Sequence, residues 1–172
     1  MNAISKWHLT RKTALGGAIA LCALAALGVT ALASAPGGGF VGSPPSRGTL
    51  AAHAEVDAGG ITFQAKDPVD VLAGQTVVIP PGGFSGWHWH PGFALIVVKA
   101  GAVTITVGCS SHTYSAGQAF YETGTTPTEA RNNGPVDVVA LTTYVVPHTN
   151  PATPARIEAT APNCNGEDAS DH

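Results

Sequence analysis

His88 and His90 lie two residues apart in Gly86-Trp87-His88-Trp89-His90-Pro91, so on any extended segment their imidazoles share one face. Trp87 and Trp89 then share the opposite face. Two imidazoles so placed can act as a bidentate site for a first-row metal such as Fe, Mn, Ni, Cu or Zn. The same pair can equally be hydrogen-bonded or solvated polar residues of a half-buried strand, with no ion and no cofactor, while the tryptophans pack as anchors. A metal needs a third ligand, and Glu122 is the leading candidate. It closes the run Ala119-Phe120-Tyr121, and with His88 and His90 it would make a two-His-one-carboxylate set suited to non-haem iron, with positions open for oxygen or substrate. A strand-end carboxylate facing solvent is the competing reading of Glu122. His53, His112 and His148 read as surface residues, and no catalytic acid, base or nucleophile is assigned.

The elements that must position these residues are short and extended. From Thr49 onward, apolar or β-branched runs recur between Gly, Pro, Asn and Asp turns: 61–63, 69–72, 76–79, 93–98, 102–107, 112–114, 119–121 and 136–146. Runs of this length with no helical period predict an all-β sandwich or barrel. The segments 94–98 and 102–107, joined by Lys99-Ala100-Gly101, read as a hairpin. Arg131-Asn132-Asn133-Gly134 reads as a turn before the long last strand, for which Asn-Gly suffices.

The spacing around the two histidines resembles the first motif of the cupin superfamily: Gly82, five residues, His88-Trp89-His90, three residues, Ala94, six residues, Gly101. The second motif is present in outline as Gly117, Thr123, Thr125, Thr128 and Asn132. Ala94 stands where the family carries a metal-binding Glu, and Thr128 where it carries a His. The resemblance implies a cupin-like double-stranded β-helix, or jelly-roll, barrel over roughly residues 51–148. It also implies that His88 and His90 point into the lumen, and that Trp89, Ala94, Tyr121, Thr128 and Asn132 are pocket residues. Glu129 ranks below Glu122 as a third ligand, because alternation aims it away from the Thr128 face.

Residues 1–35 are set apart by a basic start (Lys6, Arg11, Lys12) and an uncharged Ala/Leu/Gly-rich stretch from Ala14 to Ala35. This predicts an apolar leader helix that is either an export signal or a membrane anchor, since about 20 apolar residues span a bilayer. Export is favoured, giving a secreted or extracytoplasmic protein, or one held at the cell membrane by residues 14–35 alone. Residues 36–50, rich in Gly, Pro and Ser, are expected to be a flexible spacer, and residues 149–172 an irregular tail.

Beyond the leader, five Lys and Arg face eleven Asp and Glu, with no basic stripe, which argues against nucleic acid as a partner. Cys109 and Cys164 are the two cysteines past the leader, and an oxidising compartment favours their pairing as a disulfide. The leading expectation is an exported single-domain barrel that binds a small-molecule ligand in its lumen, with a divalent metal and dioxygenase-, isomerase- or lyase-like chemistry within reach. The alternatives are a metal-free binding or structural barrel with a degenerate site, and a disulfide-tied surface protein with an unused lumen. A homodimer through an edge strand is open to any such barrel.

Overall fold

The computed structural model describes residues 37–164, so the leader expected over residues 1–35 lies outside the described residues. Thirteen strands run through the described part, in chain order β1 Val41–Gly42, β2 Ser46–Leu50, β3 Ala54–Ala58, β4 Ile61–Ala65, β5 Val69–Ile79, β6 His88–Trp89, β7 Phe93–Ala100, β8 Ala102–Val107, β9 Ser110–Ser115, β10 Ala119–Thr123, β11 Thr128–Arg131, β12 Val138–Pro147 and β13 Ile157–Glu158. No helix occurs among them. One sheet has the order β1-β5-β12-β7-β10 with β2 also on β5, the second has the order β13-β6-β11-β8-β9, and β3-β4 form a separate hairpin. The two larger sheets face each other as the walls of a double-stranded β-helix barrel.

Period-two alternation puts Val138, Ala140, Thr142, Tyr144 and Val146 of β12, and Ala94, Ile96 and Val98 of β7, on the inner face. The second sheet contributes Val103 and Ile105. The runs 69–72 and 76–79, expected as two strands, form the single strand β5. Its pairing with β12 shifts register between Thr142 and Tyr144, so Ala73 and Gly74 together oppose Thr143. Gly74 takes φ +78° there, as a bulge requires. The extra residue switches the inward set from Asp70 and Leu72 to Gln75, Val77 and Ile79. One strand therefore lines the core along its whole length despite changing parity.

Three expectations from the sequence are corrected here. The segments 94–98 and 102–107 are not a hairpin: β7 lies between β12 and β10 in one sheet, and β8 between β11 and β9 in the other. The chain crosses over at Gly101 (φ +72°), where a Cβ would sit 2.5 Å from the Asp137 carbonyl oxygen, so glycine is needed for space as well as conformation. The stretch 36–50 is not a free spacer, because β2 pairs with β5 from Ser46↔Ala73 to Leu50↔Val69. Arg47 and Thr49 of β2 both donate to the buried carboxylate of Asp70, at 2.5 and 2.8 Å, and His148 closes on it at 2.8 Å. The tail after residue 149 is likewise structured in part: β13 pairs with β6, Ile157↔Trp89 and Glu158↔His88. Both segments lack apolar alternation and are held by pairing to strands already present. The Cys109–Cys164 disulfide is formed, tying the β8–β9 turn to the segment that follows β13.

Candidate metal centre

His88 lies on β6, and His90 follows directly after it, both with inward side chains that are 5% and 4% exposed. Their rings meet edge to face with centroids 5.0 Å apart. Each ring is oriented by a backbone carbonyl: His88 Nδ1 lies 2.9 Å from Gly86 O, and His90 Nδ1 lies 2.7 Å from Ala155 O. A carbonyl can only accept, so each Nδ1 carries the proton and donates it. That leaves both Nε2 atoms facing the lumen.

Glu122 reaches the same point from β10. It is buried, and its cross-strand partner is Ala94, the position where the family's glutamate is missing. Directly opposed residues on antiparallel strands project from the same face within about 5 Å of each other. Glu122 thus offers a carboxylate from the strand position that faces Ala94. Glu122 Oε2 lies 3.0 Å from His90 Nε2, and Thr128 donates its hydroxyl to Oε1 at 3.2 Å. Ligand atoms of His88, His90 and Glu122 all lie within 4.8 Å of one another. Burial alone would raise the Glu122 carboxyl, but the hydrogen bond from His90, the charges of His90 and His88, and the Thr128 hydroxyl together hold it below the ordinary value. His88 is pulled down to about 4, first by burial and then by the nearby guanidinium of Arg156. Its imidazole is therefore neutral near pH 7, the form that ligates metals.

These three residues fit a first-row divalent metal on donor chemistry. Two imidazoles with Nδ1 atoms held by backbone carbonyls and Nε2 atoms turned to the lumen, with a carboxylate steadied by a hydroxyl, match the way ligating histidines and carboxylates are oriented by partners behind them.

Other candidate residues fall elsewhere. Trp89, Tyr121 and Thr128 line an outer cavity of about 420 Å³ that His90 and Glu122 also border. A second cavity, about 50 Å³, lies on the barrel side and is lined by Val77, Ile96, Val103, Phe120, Val138 and others, again with His88, His90 and Glu122. Ala94 is packed in the core beside Tyr144 and Ala155 and lines neither. Asn132 lines neither of these two cavities. Fully buried, it donates to Ile79 O and Val136 O at 2.7 Å and accepts from the Gly134 amide, so it locks the turn before β12. Glu129 pairs with Arg131 at 2.9 Å, and His53 and His112 are exposed, as is much of the His148 side chain.

Three residues at the site went unread in the sequence. The Tyr144 ring lies tilted against His90 with centroids 5.4 Å apart, and its hydroxyl donates to Gln75 Oε1 at 2.5 Å; burial raises that hydroxyl's pKa, so it stays protonated. Both are polar residues at inward positions of apolar strands, and that pattern was the available signal. Arg156 is buried, with Nη1 donating to Ser85 O at 3.0 Å. Its Nη2 forms an ion pair with Glu158 Oε1 at 2.6 Å, and Nε makes no hydrogen bond among the described residues. Nothing in the polar sequence around residue 156 marks it.

Residues 75–144 match the family model described as Cupin domain. That segment is a cupin domain by this match, and the described chain folds as a double-stranded β-helix barrel. No curated protein matches it. Among solved structures it is similar to a conserved protein of unknown function from Streptococcus pyogenes (15% identity, 64% of this chain and 76% of that one, TM-score 0.43). It is also similar to an RmlC-like cupin family protein with a double-stranded β-helix fold from Methanocaldococcus jannaschii (18% identity, 46% and 71%, TM-score 0.40). A third likeness is to Bacillus subtilis oxalate decarboxylase, which has Mn(II) centres (20% identity, 53% of this chain but 27% of that one, TM-score 0.43).

Proposed function

We propose that this cupin holds a divalent transition metal through His88, His90 and Glu122 and binds a small molecule in the adjoining outer cavity. The observation that carries this reading is the convergence of two Nδ1-anchored imidazoles and one buried carboxylate within 4.8 Å. A bound iron, manganese, nickel, copper or zinc ion would supply Lewis acidity and coordination positions open to a ligand. The chain's own residues do the rest. Thr128 steadies Glu122, and the carbonyls of Gly86 and Ala155 keep both rings turned inward. Trp89 and Tyr121 offer aromatic walls, and Thr123, Thr126 and Thr128 offer hydroxyls, to a ligand entering the outer cavity. Apart from Glu122 and His90 that cavity has no charged lining, which suits a small neutral or hydroxyl-bearing molecule over a polyanion.

A metal-free binding barrel is the second reading. The direct 3.0 Å contact between His90 and Glu122, with Thr128 beside it, satisfies these groups without an ion and favours it. Titration of the purified chain with Co(II), followed by its visible absorption, separates the two. Saturation at one ion per chain, abolished by His88→Ala/His90→Ala, supports the metal site, and no spectral change supports the metal-free barrel. We further propose that the chain works outside the cytoplasm, secreted or anchored by residues 14–35; the Cys109–Cys164 disulfide supports that placement.

A further inference from the structure

The strand that carries His88 is two residues long and has few partners of its own. On one side it meets β11 through the single pair Thr128↔His88, and on the other it meets β13. Its second neighbour is therefore the C-terminal segment. That segment runs back over the barrel after β12 and is attached at successive points. Arg47 Nη2 donates to Thr153 O at 2.8 Å, and Ala155 is 4% exposed in the core with Ala94 and Tyr144. Arg156 Nη1 donates to Ser85 O, β13 pairs with β6, and the Ala159 amide donates to Trp87 O at 3.0 Å. The run ends at Cys164, bonded to Cys109. The carbonyl of Ala155 is the group that fixes the His90 ring.

We propose that this C-terminal strap, residues 153–164, is a working part of the metal site, and that the Cys109–Cys164 disulfide is its clasp, so that the oxidised chain binds metal more tightly than the reduced one. The inference rests on the metal reading above. Two physical steps carry it. Orienting partners behind a ligating imidazole typically contribute about 10–100-fold to metal affinity. The strap supplies such a partner to His90 and two of the three residue pairs of the His88 strand. A segment paired only through a two-residue strand opens locally unless it is tied down, and here the tie is covalent. Reduction by a dithiol cleaves the S–S bond with two electrons and two protons, giving two cysteine thiols while the dithiol becomes a disulfide. The freed strap would then sample open states in which His90 loses its acceptor. Metal loading would follow oxidation of the chain.

The test compares the wild-type full chain with Cys109→Ser/Cys164→Ser and with Ala159→Pro, which removes the amide donor to Trp87. Co(II) affinity is measured by calorimetry, and exchange of the His90 Nδ1 proton is measured by nitrogen-15 NMR in the metal-free state. About tenfold weaker Co(II) binding in both variants, with the His90 ring proton exchanging markedly faster, is the expected result. Unchanged affinity and unchanged exchange in the serine variant would overturn the proposal while leaving the metal site standing. If the wild type takes up no Co(II), the metal reading fails by itself. The role of the strap in orienting His90 is then judged on ring-proton exchange alone, where equal rates refute it.

Discussion

Removing the Glu122 carboxylate by two different substitutions separates its charge from its place in the barrel. Glu122 is buried and accepts from His90 Nε2 and Thr128 Oγ1. Glu122→Ala leaves both of those groups facing a void. Losing one partner of a buried, hydrogen-bonded pair costs about 3–5 kcal/mol. Glu122→Gln keeps the volume, and its amide can present a carbonyl to Thr128 and an N–H to His90 Nε2 in place of the proton that nitrogen donates to the carboxylate. Only the charge assistance is lost, a difference of about 1 kcal/mol between charged and neutral hydrogen bonds. For a domain of this size 1 kcal/mol moves the melting temperature by about 4 °C. The metal-free Gln variant should therefore melt about 4 °C below wild type and the Ala variant at least about 12 °C below, by scanning calorimetry at pH 7 with chelator present. An Ala variant within about 2 °C of wild type would refute the placement of Glu122, and equal losses in both variants would refute the assigned hydrogen bonds.

Because His88 is held down at about 4 from an ordinary 6.5, the unfolded metal-free chain binds the extra proton first as pH falls. The resulting stability is complete above pH 6.5 and lost progressively towards pH 4, about 3 kcal/mol in all; urea unfolding at pH 7 and 4.5 should show the loss, and His88→Gln should flatten it. Cys109→Ser/Cys164→Ser opens a cross-link spanning 55 residues, worth about 4 kcal/mol in the chain-entropy model, so its urea midpoint should fall with a changed denatured-state slope. A midpoint equal to wild type would mean that the bond constrains nothing in the unfolded chain. Finally, Ala94→Glu/Glu122→Ala moves the carboxylate to the opposing strand position. It should restore Co(II) binding to within about tenfold of wild type where Glu122→Ala alone does not; failure of the exchange would show that the two positions do not address the same point.

The barrel was legible in the sequence because period-two alternation and glycine-punctuated turns are local signals, and His88-Trp89-His90 inherits its geometry from the strand alone. Glu122 was legible as a candidate for the same reason, but its opposition to Ala94 was not, since cross-strand register is a product of the whole sheet. The supposed hairpin failed at Gly101. Adjacent strands joined by three residues usually pair, and only the close approach of Asp137 shows that this glycine turns the chain into the other sheet. Strands β2 and β13 were missed because Ser46-Arg47-Gly48-Thr49 and Ile157-Glu158 carry no apolar face of their own. They are recruited by the edges of β5 and β6 and by side chains such as Arg47 on Asp70 and Arg156 on Ser85 O. Asn132 matched the family position, yet its chemistry is spent on the backbone of its own turn.

A crystal structure of the Co(II)-soaked chain, with data collected on either side of the cobalt absorption edge, tests the central claim most directly. The account predicts one anomalous peak about 2.0–2.2 Å from the Nε2 atoms of His88 and His90 and from a Glu122 oxygen. No peak at that point, with His90 and Glu122 still in contact at 3.0 Å, would contradict it.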